Sequence, residues 1–91
     1  PRVVEISPPL GRQGTTLSLE IWTSEPIGAV QSVGLGEGVI VQSITQPQAN
    51  CIRVQGWIEL NAPLGERMVL VDDGQRIWTG ERFKVLDQAP P

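Results

Sequence analysis

The side chains able to do chemistry in this chain are few. Ten carboxylates run from Glu5 to Asp87, one thiol sits at Cys51, three indoles stand at Trp22, Trp57 and Trp78, and there is no histidine. Without an imidazole, neither a Ser–His nor a Cys–His pair can activate a nucleophile. With one Cys and no His, a His/Cys zinc site cannot assemble within the chain. A glycosidase needs two carboxylates facing a sugar across a cleft, whereas Glu20 and Glu59 fall at outward, solvated strand positions. The inventory predicts a protein that is not an enzyme and carries no cofactor. Lone Cys51 reads as a small hydrophobe on a strand.

Two motifs imitate binding sites and have simpler explanations. Asp72-Asp73-Gly74 could offer oxygens to calcium, but that ion wants six to eight of them, and Asp-Gly is already a hairpin signal. Gly34-Leu35-Gly36-Glu37-Gly38 resembles a phosphate cradle, yet no helix follows it and no lysine serves it. Both read as turns.

The indoles carry more. Alternation places Trp22 and Trp57 on the side of Glu20 and Glu59, away from the core, and Met68 and Leu70 are also expected to point outward. Together with Trp78 they form the candidate interaction surface: Trp22, Trp57, Trp78, Met68 and Leu70. An indole offers a large area at low entropic cost, so it can anchor a protein interface or stack on a sugar ring. The expected partners are neighbouring domains of the same chain, another protein, or a glycan. Met68 and Leu70 also thicken one face enough for assembly through edge strands to be weighed.

Charge narrows the partners further. The net charge is −3, and the seven Lys and Arg residues are scattered from Arg2 to Lys84 among interleaved acids. Nucleic-acid affinity is dominated by neutralised phosphates, so no such partner is expected. No apolar run approaches the roughly 20 residues of a spanning helix, so direct membrane insertion is not expected either. A start at Pro1, without a basic leader, reads as a module excised from a longer protein.

These side chains must be held by strands, because no segment sustains a helical period. Arg2–Ser7 carries Val4 and Ile6 two apart, and Pro8-Pro9 end it. Thr15–Trp22 alternates strictly, with Leu17, Leu19 and Ile21 on one face. Ala29–Leu35 puts Val33 and Leu35 inward. Val39–Thr45 slips phase, which predicts a bulge near Gln42-Ser43, and Gln46–Asn50 reads as a polar loop. Cys51–Leu60 is the longest, with Ile52, Val54, Ile58 and Leu60 inward. Gly56, on the same side, is expected to leave space for a neighbouring side chain, such as a Trp.

After the Asn61–Gly65 corner, Glu66–Val71 reads as one strand. Gln75–Trp78 and Arg82–Leu86 read as a last strand broken at Thr79–Glu81. The expected core is Val4, Ile6, Leu19, Ile21, Val54, Val69, Val71, Phe83 and Val85. Residues 1–87 form one domain and 88–91 a Pro-rich linker. Short strands with Gly/Pro punctuation every 8–12 residues predict an all-β sandwich or barrel.

The order of motifs resembles the IPT/TIG domain. The likeness rests on Ile6-Ser7-Pro8 with Gly14-Thr15-Thr16, on Val33 through Val41 with its glycine turn, on Ala62-Pro63-Leu64-Gly65, on Val69 and Val71, and on Phe83-Lys84-Val85. Trp22–Pro26 departs from it where the family has a Gly and a Phe. The resemblance implies an immunoglobulin-like β-sandwich of about seven antiparallel strands in two sheets. It also implies a non-catalytic role as spacer, adhesion or protein–protein contact module of a larger, extracytoplasmic bacterial protein, secreted or at the cell surface. It implies no catalytic residues.

Overall fold

Alternating apolar residues between glycine and proline breaks give strands throughout. The computed structural model describes residues 1–90, and among them it contains no helix. Ten strands follow in order: β1 (Val3–Ser7), β2 (Leu10–Arg12), β3 (Thr16–Thr23), β4 (Ser32–Gly34), β5 (Val39–Gln48), β6 (Cys51–Ile58), β7 (Gly65–Met68), β8 (Leu70–Asp72), β9 (Ile77–Trp78) and β10 (Arg82–Leu86). They form a four-stranded sheet, β1-β3-β6-β5, and two three-stranded sheets, β2-β10-β7 and β4-β8-β9.

The count exceeds the seven expected because backbone partners change mid-strand. Glu66–Val71, read as one strand, divides at Val69: β7 pairs with β10, while β8 pairs with β4 and β9. Across the break the Val69 N–H donates to the Glu81 carbonyl at 3.1 Å, tying the β7–β8 connection to the one between β9 and β10. The N-terminal strand likewise stops at Pro8-Pro9, which lack N–H donors. Leu10–Arg12, just past these prolines, is a further short strand. It runs parallel to β10, the one parallel pair among strands otherwise antiparallel.

The core draws on all three sheets. Ile6, Leu17, Leu19, Ile21, Val33, Leu35, Ile52, Val54, Ile58, Val69, Val71, Phe83 and Val85 are buried, as alternation predicted. Val4 is not: a register shift between Val3 and Glu5 turns Val3 inward and leaves Val4 41% exposed. Leu60 is also outside, because β6 ends at Ile58 and the chain has already turned. Only Ser32–Gly34 of the Ala29–Leu35 segment is strand. The predicted bulge is present: Val41 opposes Gly56 and Ser43 opposes Gln55, leaving Gln42 as the extra residue. β5 then runs on to Gln48 through the segment expected as a loop, with a second irregularity between Thr45 and Gln48. Gly56 makes room for main chain, not for an indole: a β-carbon there would overlap the Ile40 carbonyl.

The two ends of the chain leave at opposite poles. At one, Arg2 and Ser24 exchange hydrogen bonds just beyond the end of β3. At the other, the Gln88 amide reaches the Leu60 carbonyl beyond the end of β6. The chain extends 42 Å along its longest axis and about 20 Å across.

Candidate functional site

Register fixes where the candidate residues stand. On the outer face of the four-stranded sheet, Trp22 lies opposite Cys51 and Glu5, and Trp57 lies opposite Thr16 and Ile40. The two rows lie six positions apart along β3, so the indoles are about 20 Å apart along the strand. Between them lie Ser18, Gln55 and the Glu20–Arg53 ion pair, closed at 3.0 Å. Trp57 is 41% exposed and Trp22 is half-buried. One sugar ring cannot touch both.

Trp78 does not belong to the surface. It faces inward opposite Val71, is buried, and donates its indole N–H to Asp73 Oδ2 at 3.0 Å. The break at Thr79–Glu81 separates β9 from β10, so alternation in the last strand could not carry the side assignment across. Met68 and Leu70 are exposed as expected, and Ile77, on the strand next to Leu70's, is exposed too. They stand on β7 and β8, in different sheets from Trp57. The five residues therefore make separate features, not one surface.

Asp73 explains the Asp-Asp-Gly motif. Its Oδ1 accepts the Gln75 and Arg76 N–H groups at 2.8 Å each, and Asp72 Oδ1 accepts Gly74 N–H at 2.7 Å. Gly74 takes φ +89°, as such a turn demands. The Trp78 indole first, then the two backbone donors, hold the Asp73 carboxyl below its ordinary range. A depressed folded pKa stabilises the fold above the unfolded value, and that contribution is lost as pH falls through the folded one. In urea unfolding, Asp73→Asn is expected to trail wild type by a constant gap above about pH 5 and to close that gap below about pH 4. A gap independent of pH would remove Asp73 ionisation from the stability of the turn.

Cys51 is buried, and that burial, followed by the Glu20 charge, raises its thiol pKa despite nearby Arg53. The thiol stays protonated at neutral pH, consistent with a packing role.

What the sequence did not suggest is a groove beside Trp57. It is open, about 430 Å³ in volume, and lined by Gly14, Thr15, Thr16, Trp57, Ile58, Glu59, Leu60 and Asn61. The start of β3, the end of β6 and the corners beyond them bring these together. Trp57 and the outward Leu60 give it apolar walls. Thr16, Glu59 and Asn61 present exposed hydroxyl, carboxylate and amide groups at its rim. Such a mixture suits a ligand with one apolar face and a polar edge. The signal in the sequence was Trp57, read as outward; Leu60, whose apparent inward phase hid its exposure, gave none.

A second missed residue is Arg67. Its guanidinium donates to the carbonyls of Leu35 (2.9 Å), Glu37 (3.0 Å), Gly65 (3.3 Å) and Pro63. It ties the glycine turn before β5 to the corner before β7. Compared with models of known protein families, the chain matches none, and a search of curated proteins finds no match.

Proposed function

We propose that this chain is a non-catalytic, immunoglobulin-like β-sandwich module that spaces or joins parts of a larger protein. The strand order supports the fold. β1-β3-β6-β5 corresponds to the A-B-E-D sheet of that architecture, and β4, β8/β7 and β9/β10 to C-F-G. On this reading the two smaller sheets, tied by the Val69–Glu81 hydrogen bond, act as one layer facing the first. The observation that carries the function is the placement of the chain ends at opposite poles of a 42 Å body. Such a unit extends a chain in which it is inserted. The missing catalytic inventory agrees with a mechanical or contact role, and the likeness to IPT/TIG domains favours an extracytoplasmic bacterial host.

Small-angle scattering of one copy and of two copies joined in tandem tests this. The tandem is expected to be longer by close to the 42 Å axis. A tandem folded back on itself, with little gain in length, would refute the spacer role.

The groove favours a second reading, a carbohydrate-binding module. Trp57 would stack on a pyranose face while Thr16, Glu59 and Asn61 bond its hydroxyls; Trp78 cannot take part, and Trp22 is too distant to share the ring. Titration of intrinsic fluorescence with a glycan panel is expected to give a saturable change that Trp57→Ala abolishes. No change at millimolar sugar ends this reading.

A further inference from the structure

We infer that the fold is a mechanical clamp: tension between the two chain ends is carried in shear by the terminal strands. The inference rests on the spacer reading and adds to it the kind of force the spacer withstands.

The argument begins with direction. β1 starts beside Thr23 at the N-terminal pole and runs toward the far pole, reaching Ser7 opposite Glu20. The chain continues the same way through β2, and Gly14 then donates to the Ile58 carbonyl near the C-terminal pole. β10 runs in parallel with β2, with Lys84 against Leu10 and Leu86 against Arg12. A pull on the N-terminus therefore drags β1 and β2 toward one pole, and a pull on the C-terminus drags β10 toward the other.

Inter-strand hydrogen bonds lie across the strands. Opposed forces along the strands load the whole β2–β10 ladder together. The pair is bracketed by Lys84 N–H to the Pro9 carbonyl and Gln13 N–H to the Leu86 carbonyl, both 2.9 Å. Arg12 adds a side-chain bond to the Asp87 carbonyl at 3.0 Å. β1, paired with β3, is also pulled along its own axis. Even if β1 slips, the chain cannot lengthen past Pro9 until the β2–β10 ladder breaks. Phe83 and Val85, both buried, anchor β10 in the core while it is loaded.

The same bonds resist far less when opened one at a time, so resistance must depend on direction. Leu64 is exposed and adjoins Gly65, which pairs with Val85 at the C-terminal pole. Force between residue 64 and the C-terminus would peel β10 from β7 sequentially.

The test is single-molecule force spectroscopy of the full chain between inert handles. One arm pulls through the two termini. The other pulls through the C-terminus and a Leu64→Cys attachment made under native conditions, where Cys51 is buried. Forced unfolding reads the rate of crossing the barrier, not equilibrium stability, so the two arms compare geometry alone. The terminal pull is expected to need roughly twice the force, or more, at equal loading rate. Equal forces, or a weaker terminal pull, overturn the clamp. Energy transfer between dyes at the two ends of the unloaded chain separates the two ideas. A long end-to-end distance with no directional difference sinks the clamp and leaves the spacer, whereas dyes found close together sink the spacer and the clamp with it.

Discussion

Arg67→Ala is expected to cost about 2–4 kcal/mol of folding stability, measured as a lower urea midpoint at unchanged slope. The guanidinium is half-buried and donates to four backbone carbonyls on two loops. Removing it leaves partly buried acceptors unpaired, and a bond to a charged group is worth roughly 1.5–3 kcal/mol. The stem of the side chain packs too: a β-carbon on Gly36 would sit 2.7 Å from Arg67 Cγ. Arg67→Lys should recover under about half of the loss, because one compact ammonium cannot span carbonyls arranged for a planar fork.

Arg53→Ala is the contrast. It breaks the Glu20–Arg53 pair, whose side chains are 36% and 49% exposed, and such pairs contribute about 0–1 kcal/mol. If Arg53→Ala and Arg67→Ala lose equal stability, the bridging role assigned to Arg67 is wrong.

Arg67 also marks a limit on what the sequence could reveal. Its partners are main-chain carbonyls, which leave no trace in residue types, so it looked like one more scattered charge. Side-chain phase is a local property, and there alternation served well: Leu19, Ile21, Val54, Val69, Phe83 and Val85 are all buried. It failed where one residue shifts the count, at Val3–Val4, or where a strand ends early, at Leu60. Partner choice is non-local. Nothing in Leu10-Gly11-Arg12 announces a parallel partner more than seventy residues away, and nothing in Glu66–Val71 announces a change of sheet at Val69. The candidate surface suffered for the same reason: Trp22, Trp57, Met68 and Leu70 were placed correctly one by one, while their distribution over separate sheets depended on pairing. The groove at Trp57 needed two corners to meet, and only the folded chain brings them together.

Gly56 and the β5 bulge, separate features in the sequence, are one feature in three dimensions. The bulge puts Val41 and Gln42 against a single residue of β6, and that residue is Gly56. Its missing side chain admits the β5 backbone: a β-carbon would overlap the Ile40 carbonyl oxygen and lie 3.2 Å from Gln42 N. Neither atom can retreat cheaply, since Val39 and Ile40 remain paired with Ile58 and Trp57. Gly56→Ala is therefore expected to cost about 3 kcal/mol or to prevent folding, beyond the usual price of overpacking a core. Deleting Gln42 supplies the decisive comparison. Without it, Val41 opposite Gly56 and Ser43 opposite Gln55 become a regular ladder, and each side chain keeps its face. The deletion should relieve the close approach, so the double variant is expected to be more stable than the sum of the single changes predicts, by about 1 kcal/mol or more. Additive losses would mean that the glycine answers to something other than the bulge opposite it.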